Sequence, residues 1–239
     1  MCGRFGLTLD AGRELGYLLG VDEAHLSFHR PRYNIAPTQE HFVLISEYEQ
    51  RKVLPARWGL VNAGAKDNAR AAQCINAMAE TVELRPSYRE AFRQRRCIVP
   101  ADLFYEWKGS KQARTPVRFH RADGGLLFFA GLYEEWRPQP GTPETTFTIL
   151  TCAPNAVTRP IHNRMPVILP DTKAQEDWIN PREPNPLSLK RLLVPAPDNL
   201  LQMKPASTLV NSAKNEGPEL LLPIPQKGTT LDLFSKLKE

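Results

Sequence analysis

The sequence predicts an α+β fold. Runs rich in β-branched and aromatic residues, separated by turn residues, recur through the middle of the chain and predict strands. Segments with helical periodicity are short, and 22 prolines among 239 residues disfavour long uninterrupted helices. Strands mixed with short helices are typical of the α+β class.

The N-terminal part of the chain is expected to contain a short helix followed by a β-hairpin. Asp10 can cap the helix, and Gly20 is placed to end it. Residues 41–49 (HFVLISEYE) and 52–60 (KVLPARWGL) have the composition of two strands that pair with each other. Residues 61–72 are rich in Gly, Ala, Asn and Asp, which predicts an exposed loop.

An amphipathic basic helix is expected at residues 86–96 (PSYREAFRQRR). Tyr88 and Phe92 are four residues apart and therefore share one face of the helix. Three arginines follow helical spacing on a neighbouring face: Arg89, Arg93 and Arg96. This face is either a solvated surface whose arginine stems cover the core or a stripe that faces phosphate, and the sequence leaves both interpretations open.

Four further strand-like runs predict that an antiparallel sheet dominates the middle of the chain. They are residues 97–108 (CIVPADLFYEWK), 115–125 (TPVRFHRADGG), 126–136 (LLFFAGLYEEW) and 145–154 (TTFTILTCAP). Short helices are expected at residues 171–179, where Asp171 can cap, and at 186–194, before the chain returns to extended structure near 205–213.

The composition is that of an ordinary folded protein, with 41% hydrophobic and 24% charged residues. No repeat or low-complexity linker interrupts the chain, so we expect a single domain over residues 1–225 and a peripheral tail at 226–239. No apolar stretch approaches the roughly 18 residues that span a bilayer, and the N-terminus lacks the apolar region of a signal peptide. We therefore expect no membrane partner and a cytoplasmic location, with nucleoid association if the protein is prokaryotic.

Charge and cysteine content narrow the function only slightly. A net charge of +5 is compatible with a nucleic-acid partner but is shared by many proteins that bind none. The four cysteines contain no CxxC pair, so neither a zinc site nor a redox dithiol is predicted. The usual serine-hydrolase, phosphate-loop, metalloprotease and dinucleotide-binding motifs are also missing from the sequence.

Cys2 occupies an unusual position, directly after the initiator methionine. Removal of Met1 would leave an α-amine and a thiol on adjacent carbons, which is a 1,2-aminothiol. The reference pKa values are roughly 7.7 to 8.0 for the amine and roughly 8.5 for the thiol, so both nucleophiles are populated near neutral pH. An aldehyde is the matching electrophile, because the amine forms an imine and the thiol then closes a thiazolidine ring. The alternative is a cysteine that stands at this position by chance.

Three other positions are candidates for chemistry. Glu106 lies between aromatic residues in FYEWK, where burial would raise the pKa of its carboxyl and suit it to general acid–base catalysis. The alternative is that Glu106 faces outward from a strand and pairs with an arginine. His162 lies in a proline-bounded turn, a common location for functional residues, although a lone histidine is more often structural. Asn76 and Glu80 point to the same side of either a helix or a strand.

Seven segments, taken together, resemble the SRAP (SOS response-associated peptidase) family of abasic-site processing proteins. They are MCGRF at the N-terminus, RYNIAPTQ at 32–39, WGL at 58–60, NAMAET at 76–81, RRCIVPADLFYEWK at 95–108, HNRMPVIL at 162–169 and VNSAKNEGPELL at 210–221. The motifs keep the family's order and similar spacing from about residue 2 to residue 223.

The resemblance implies one α+β domain whose curved antiparallel sheets carry a positively charged DNA cleft with Cys2 at its base. Cys2 matches the nucleophile, Asn76 the asparagine that positions it, Glu106 the acid/base glutamate and His162 the histidine of the active site. The implied product is a thiazolidine crosslink to abasic sites in single-stranded DNA, which shields the lesion. The implied protein acts as a monomer without a metal or organic cofactor. A peptidase-like autoproteolytic activity of the family would here amount to removal of Met1.

The resemblance also implies a set of residues on the DNA-binding side. Arg4 and Trp58 match positions on that side, and Thr151 matches a threonine near the site. Met78 stands where the family commonly has an arginine that contacts phosphate next to the lesion, so a charge-assisted contact is lost. Arg85, Arg89 and Arg93 are candidates to replace this contact.

A second departure from the family pattern follows WGL. Asn62 and Gly64 stand where the family commonly has a Pro-x-Trp element, so a stacking surface is missing. We therefore expect the covalent chemistry to be retained with weaker or altered DNA affinity.

Two other functions remain open at this stage. One is an N-terminal-nucleophile amidohydrolase or peptidase, in which the amine of Cys2 acts as base for its own thiol. The other is a non-catalytic module that binds single-stranded nucleic acid.

Overall fold

Two β-sheets form the framework of the protein in a computed structural model, which describes residues 2–48, 50–109, 114–138, 141–183 and 185–222. The strands are β1 (Phe5–Leu7), β2 (Arg32–Ile35), β3 (Glu40–Glu47), β4 (Gln50–Trp58), β5 (Asn76–Met78), β6 (Arg96–Ala101), β7 (Leu103–Lys108), β8 (Thr115–Arg121), β9 (Leu127–Trp136), β10 (Glu144–Cys152), β11 (Met165–Pro166) and β12 (Leu201–Pro205). The α-helices are α1 (Arg13–Leu19), α2 (Arg89–Gln94) and α3 (Thr172–Ile179), and the other helical segments are short 3₁₀ turns.

Five strands close into a barrel in the order β10, β4, β3, β6 and β9, with β9 pairing back to β10. All neighbours in the barrel are antiparallel except β10 and β4, which are parallel. The second sheet is antiparallel and has the order β12, β8, β7, β1 and β2. The α+β class with a curved, barrel-like sheet and short flanking helices is thus confirmed.

The run predicted as one strand at residues 97–108 divides at Asp102 and supplies one strand to each sheet. β6 belongs to the barrel, whereas β7 pairs with β1 in the second sheet. Asp102 stabilises the break, because its carboxylate accepts a hydrogen bond of 2.7 Å from the backbone N–H of Thr8. This change of sheet carries Glu106 to the strand next to the N-terminus.

Aromatic packing holds strand β1 against the strands of the barrel. The fully buried ring of Phe5 makes edge contacts with Trp58 and Phe129, at centroid distances of 5.0 and 6.2 Å. Full burial of one such ring contributes about 1.5–3 kcal/mol. Since Phe5 lies three residues after Cys2, this packing also limits the movement of the N-terminal residues.

Several local predictions are confirmed. The strands predicted at 41–49 and 52–60 correspond to β3 and β4, which pair as an antiparallel hairpin. Gly20 ends α1 in the left-handed conformation, with φ 69°. Asp171 caps α3 by accepting a hydrogen bond of 2.8 Å from the N–H of Ala174.

Other predictions are wrong. Helix α1 begins at Arg13 with Gly12 at its N-cap, so Asp10 is two residues too early to cap it. Arg96 does not lie on the basic helix, which ends at Gln94. It starts β6 and is buried, and its guanidinium donates to the carbonyls of Trp178 and Asn180 at 2.8 and 2.6 Å.

The C-terminal region is less regular than expected. Residues 186–194 form a 3₁₀ segment at Pro186–Leu192, and the extended structure near 205–213 gives way to a 3₁₀ turn at Thr208–Asn211. The tail at 226–239 lies outside the described residues. Among the helices that the structure describes, none has the length and apolar character needed to cross a bilayer.

Candidate active site around Cys2

Cys2 is completely buried beside strand β7. Strand β1 pairs with β7 so that Phe5 lies opposite Phe104, and the N–H of Tyr105 donates to the carbonyl of Arg4 at 2.9 Å. The antiparallel pairing therefore continues before β1 and leads the N-terminal residues along β7 toward Glu106. The thiol of Cys2 itself lies 3.9 Å from the carbonyl of Arg4.

Asn76 holds the backbone of Cys2 directly. Its side-chain amide donates to the Cys2 carbonyl at 2.8 Å. Two further bonds fix the strand that carries Asn76, because the Tyr88 hydroxyl lies 3.2 Å from the Asn76 carbonyl and the Trp58 indole donates to the Ile75 carbonyl at 2.8 Å. Asn76 is thus a rigid support for Cys2.

The buried carboxyl of Glu106 is 4% exposed, and burial raises its pKa from 4.5 to about 7. Burial, and after it the charge of Glu106, raise the pKa of the Cys2 thiol to about 12. The sulfur is therefore a neutral thiol at neutral pH, whereas Glu106 is close to half protonated. A group in that state can both give and accept a proton.

His162 lies in the turn between β10 and β11. Its backbone N–H donates to the Thr158 carbonyl at 3.0 Å, and its Nδ1 accepts from the backbone N–H of Arg164 at 3.0 Å. Burial lowers the pKa of His162 below its usual value of 6.5, so the ring is neutral at neutral pH. With Nδ1 accepting, the ring proton is on Nε2.

Arg164 is a candidate site residue that the sequence analysis missed. Its guanidinium forms a bidentate pair with Glu80 at 2.6 and 2.9 Å and also bonds to the carbonyl and hydroxyl of Thr151. These bonds connect the His162 turn to β10 and to the residues that follow β5. The only sign of this role in the sequence is that HNRMP contains a positive residue, Arg164, and NAMAET a negative one, Glu80. The sequence alone does not show that these two motifs are neighbours.

Two residues assigned to the DNA-binding side, Trp58 and Thr151, are buried, and their contact with DNA stays a prediction. Trp58 is fully buried and stacks on Phe147 at 6.3 Å, where it supports the segment before Asn76. Thr151 is fully buried in β10 and contacts Arg164 and the Ala77 carbonyl.

The other three DNA-side residues remain predictions. Met78 is 47% exposed and lies opposite Thr151 in the pairing of β5 with β10. Arg85 is exposed in the turn before α2. Arg4 is half-buried, and its guanidinium donates to Asn34 at 2.7 Å and to the Val210 carbonyl at 2.8 Å.

Among the described residues, no group of three His, Cys, Asp or Glu side chains is arranged to hold a metal ion. The candidate site thus consists of a cysteine next to the initiator methionine, an amide that fixes its backbone, and a buried carboxyl with a raised pKa. These features define a candidate cysteine-nucleophile protein built on a closed β-barrel.

The chain belongs to the SOS response associated peptidase (SRAP) family, whose pattern it matches over residues 1–213. It is 39% identical to the abasic site processing protein YoqW of Bacillus subtilis, over 92% of this chain and 99% of the relative. It is 29% identical to the abasic site processing protein HMCES of Gallus gallus, over 94% of this chain and 78% of the relative. A crystal structure of a protein from Bacteroides thetaiotaomicron has the same fold, with a TM-score of 0.79 and 23% identity over 92% of this chain and 98% of that one.

Proposed function

We propose that this protein processes abasic sites in single-stranded DNA by forming a covalent thiazolidine crosslink through Cys2 after removal of Met1. The observation that carries the proposal is the arrangement around Cys2. Its carbonyl accepts a hydrogen bond from Asn76, and its thiol is close enough to Glu106 for the charge of the carboxylate to raise the thiol pKa. The relatives named abasic site processing proteins support the choice of substrate.

The first step is imine formation. The open form of an abasic deoxyribose is an aldehyde. The ring opens as the proton of the C1′ hydroxyl is transferred to the ring oxygen and the bond between C1′ and that oxygen breaks, and the Nε2–H of the neutral His162 assists by donating a hydrogen bond to the ring oxygen. The unprotonated amine of Cys2 adds to the aldehyde carbon to form a carbinolamine. Protonated Glu106 then donates to the carbinolamine hydroxyl, which leaves as water.

The second step closes the ring. The Cys2 sulfur bonds to the imine carbon, its proton passes to the Glu106 carboxylate, and the electron pair of the C=N bond goes to nitrogen, which ends as the ring N–H. One water is lost over the two steps. Because the iminium no longer acidifies the neighbouring C–H, β-elimination is suppressed and the DNA strand stays intact.

Asn76 contributes by positioning the N-terminus. With the Cys2 carbonyl held, the amine and the thiol are presented to one carbon atom in sequence, which lowers the entropic cost of ring closure. We propose that the protein acts as a monomer, with the exposed Met78 and Arg85 on the side that faces DNA.

The proposal is tested by incubating the processed protein with single-stranded DNA that contains one abasic site. A denaturation-resistant adduct is expected whose intact mass is the sum of the two reactants less one water. The proposal fails if no adduct forms or if the Cys2→Ala variant forms it equally well. A control oligonucleotide with a tetrahydrofuran in place of the abasic sugar has no aldehyde and should give no adduct.

A thiol hydrolase of the N-terminal-nucleophile type is less well supported. YoqW and HMCES, the relatives at 39% and 29% identity, are instead named for abasic-site processing. Turnover of amide substrates without DNA would favour the hydrolase hypothesis over crosslinking. Salt-sensitive binding that ignores both the lesion and Cys2 would favour a non-catalytic module.

A further inference from the structure

An ion pair joins the two chain segments that flank the end of strand β10. Glu80 follows β5, and Arg164 precedes β11. Both strands pair with β10, where Met78 and Pro166 are each in register with Thr151. The guanidinium of Arg164 donates to both carboxylate oxygens of Glu80, at 2.6 and 2.9 Å, and such bidentate pairs are strong and directional. The pair therefore ties the two segments together across the end of β10.

Glu80 is charged but is not suited to move a proton itself. The hydrogen bonds from Arg164 lower the pKa of Glu80 below its usual value of 4.5, so its carboxyl is ionised at neutral pH. An ionised carboxylate has no proton to donate, and one with a lowered pKa is a weak base. Any contribution of Glu80 to the reaction therefore passes through a neighbouring group.

Arg164 connects Glu80 to the imidazole of His162. The backbone N–H of Arg164 donates to Nδ1 of His162 at 3.0 Å. Because Nδ1 accepts this hydrogen bond, the ring proton is on Nε2, the nitrogen that the proposed ring opening uses. The side chain of Arg164 binds Glu80 while its backbone orients His162, so one residue links the two groups.

The turn that carries His162 is held at both ends. At its beginning, the side-chain oxygen of Asn155 accepts from the N–H and from the hydroxyl of Thr158, at 3.0 Å each. At its end, the guanidinium of Arg164 bonds to Glu80 and to β10. Without the Glu80 carboxylate, Thr151 alone among the described partners would hold that guanidinium.

We propose that Glu80 is a positioning residue for the opening of the abasic sugar, because it holds Arg164, whose backbone keeps the Nε2–H of His162 directed at the ring oxygen. The inference rests on the proposed function, which assigns assistance of ring opening to His162. It predicts that Glu80 affects the opening of the sugar and has no part in the addition of Cys2 to an aldehyde that is already open.

The first test compares two aldehydes in single-turnover crosslinking assays. An abasic site must open its ring before the amine of Cys2 adds, whereas a 3′-phosphoglycolaldehyde end of a DNA strand is too short to form a ring. Glu80→Ala should slow adduct formation with abasic DNA about tenfold or more, since a small misplacement of a group can cost up to about 10²-fold. The rate with the phosphoglycolaldehyde strand should not change. Equal slowing with both substrates, or no slowing with abasic DNA, would overturn the proposal.

A nearly isosteric variant guards against a folding defect. Glu80→Gln keeps one oxygen that accepts from Arg164 but loses the charge, so it should slow the reaction of abasic DNA less than Glu80→Ala does. Neither variant should weaken binding of an oligonucleotide with a central tetrahydrofuran, because each removes a negative charge from a side chain that is 48% exposed. A fall in affinity that matches the fall in rate would show that Glu80 acts in binding, which contradicts the positioning role.

A double-mutant cycle tests whether Glu80 acts through Arg164. Arg164→Ala removes the guanidinium but retains the backbone N–H that donates to His162. In the Arg164→Ala protein, the further change Glu80→Ala should leave the rate with abasic DNA unchanged. If the two effects multiply instead, Glu80 acts by another route and the proposal is wrong.

Glu144 provides a matched control. It forms a bidentate pair with Arg57, whose side chain is 14% exposed against 15% for Arg164. Glu144 begins β10, however, and Thr151 lies seven residues further along the strand, or about 23 Å away. Glu144→Ala should crosslink abasic DNA at the rate of the unmodified protein. Slowing equal to that of Glu80→Ala would show that the loss of any such pair has this effect.

The outcomes separate the two proposals. If the unmodified protein forms an adduct with neither aldehyde, the proposed function fails. If it reacts with both, and Glu80→Ala reacts with abasic DNA equally fast, only the role of Glu80 fails.

Discussion

Replacing Glu106 with glutamine should make the folded protein more stable at alkaline pH while it impairs crosslinking. Burial raises the pKa of Glu106 from 4.5 to about 7. Below pH 4.5 the carboxyl is protonated in both the folded and the unfolded chain, so its titration does not affect stability. Between pH 4.5 and 7 the unfolded chain releases the proton while the folded protein retains it, and this difference favours unfolding.

The size of the effect follows from the two pKa values. Each unit of pKa difference corresponds to about 1.36 kcal/mol, so ionisation of Glu106 lowers the free energy of unfolding by about 3 kcal/mol above pH 7. Glutamine has nearly the same shape and does not ionise. The variant should therefore gain about 3 kcal/mol over the unmodified protein between pH 4.5 and pH 8.

Urea denaturation of both proteins at pH 4.5 and pH 8 measures this gain. Glu135→Gln, at an exposed position, is the control and should show no comparable pH-dependent difference. The rate of adduct formation by Glu106→Gln should fall by about 10²–10⁴-fold, the usual contribution of a general acid or base. The reasoning is refuted if the stability difference between Glu106→Gln and the unmodified protein is the same at both pH values.

Three further predictions follow from the described contacts. Asn76→Ala removes the hydrogen bond to the Cys2 carbonyl and should slow adduct formation about tenfold in a single-turnover gel assay. The affinity for DNA, measured by fluorescence anisotropy, should change little. An unchanged rate would show that Asn76 does not position the nucleophile. Met78→Arg should tighten single-stranded DNA binding. It should also steepen the slope of log binding constant against log salt concentration by about 0.7, and an unchanged slope would show that position 78 does not face phosphate. Burial lowers the pKa of His41 from 6.5 to about 3, so protonation of the unfolded chain should cost about 1.4 kcal/mol of stability per pH unit below 6.5 until about pH 3. Because Glu106 contributes a slope of opposite sign in this range, the test is the difference between two proteins: between pH 6.5 and 5, the free energy of unfolding of His41→Asn relative to the unmodified protein should rise by about 1.4 kcal/mol per unit of falling pH in urea denaturation. An equal slope in both proteins would contradict the assignment.

Local features of the fold could be predicted from the sequence because neighbouring residues determine them. Gly20 ends α1 since glycine tolerates the left-handed conformation, and Asp171 caps α3 through an N–H only three residues away. Features that depend on distant partners were predicted wrongly. Arg96 has helical spacing with Arg89 and Arg93, but its guanidinium donates to carbonyls at the end of α3 and the side chain is buried.

The same distinction applies to the DNA-side residues. Sequence resemblance places Trp58 and Thr151 on the DNA-binding side, and only the folded chain shows that both side chains are fully buried. Arg164 was missed because its partners, Glu80 and Thr151, are 84 and 13 residues away. Exposure and long-range pairing are properties of the folded chain, and residue types alone do not reveal them.

The sequence by itself determined the chemical identity of the candidate site, because a cysteine after the initiator methionine defines which two nucleophiles are available. It also nominated Asn76 and Glu106. Only the tertiary structure decided how these groups interact. The break at Asp102 carries Glu106 to the strand beside Cys2, and burial there raises its pKa to about 7. The physical reason is that desolvation depends on what packs around a group, and strands distant in sequence supply that packing.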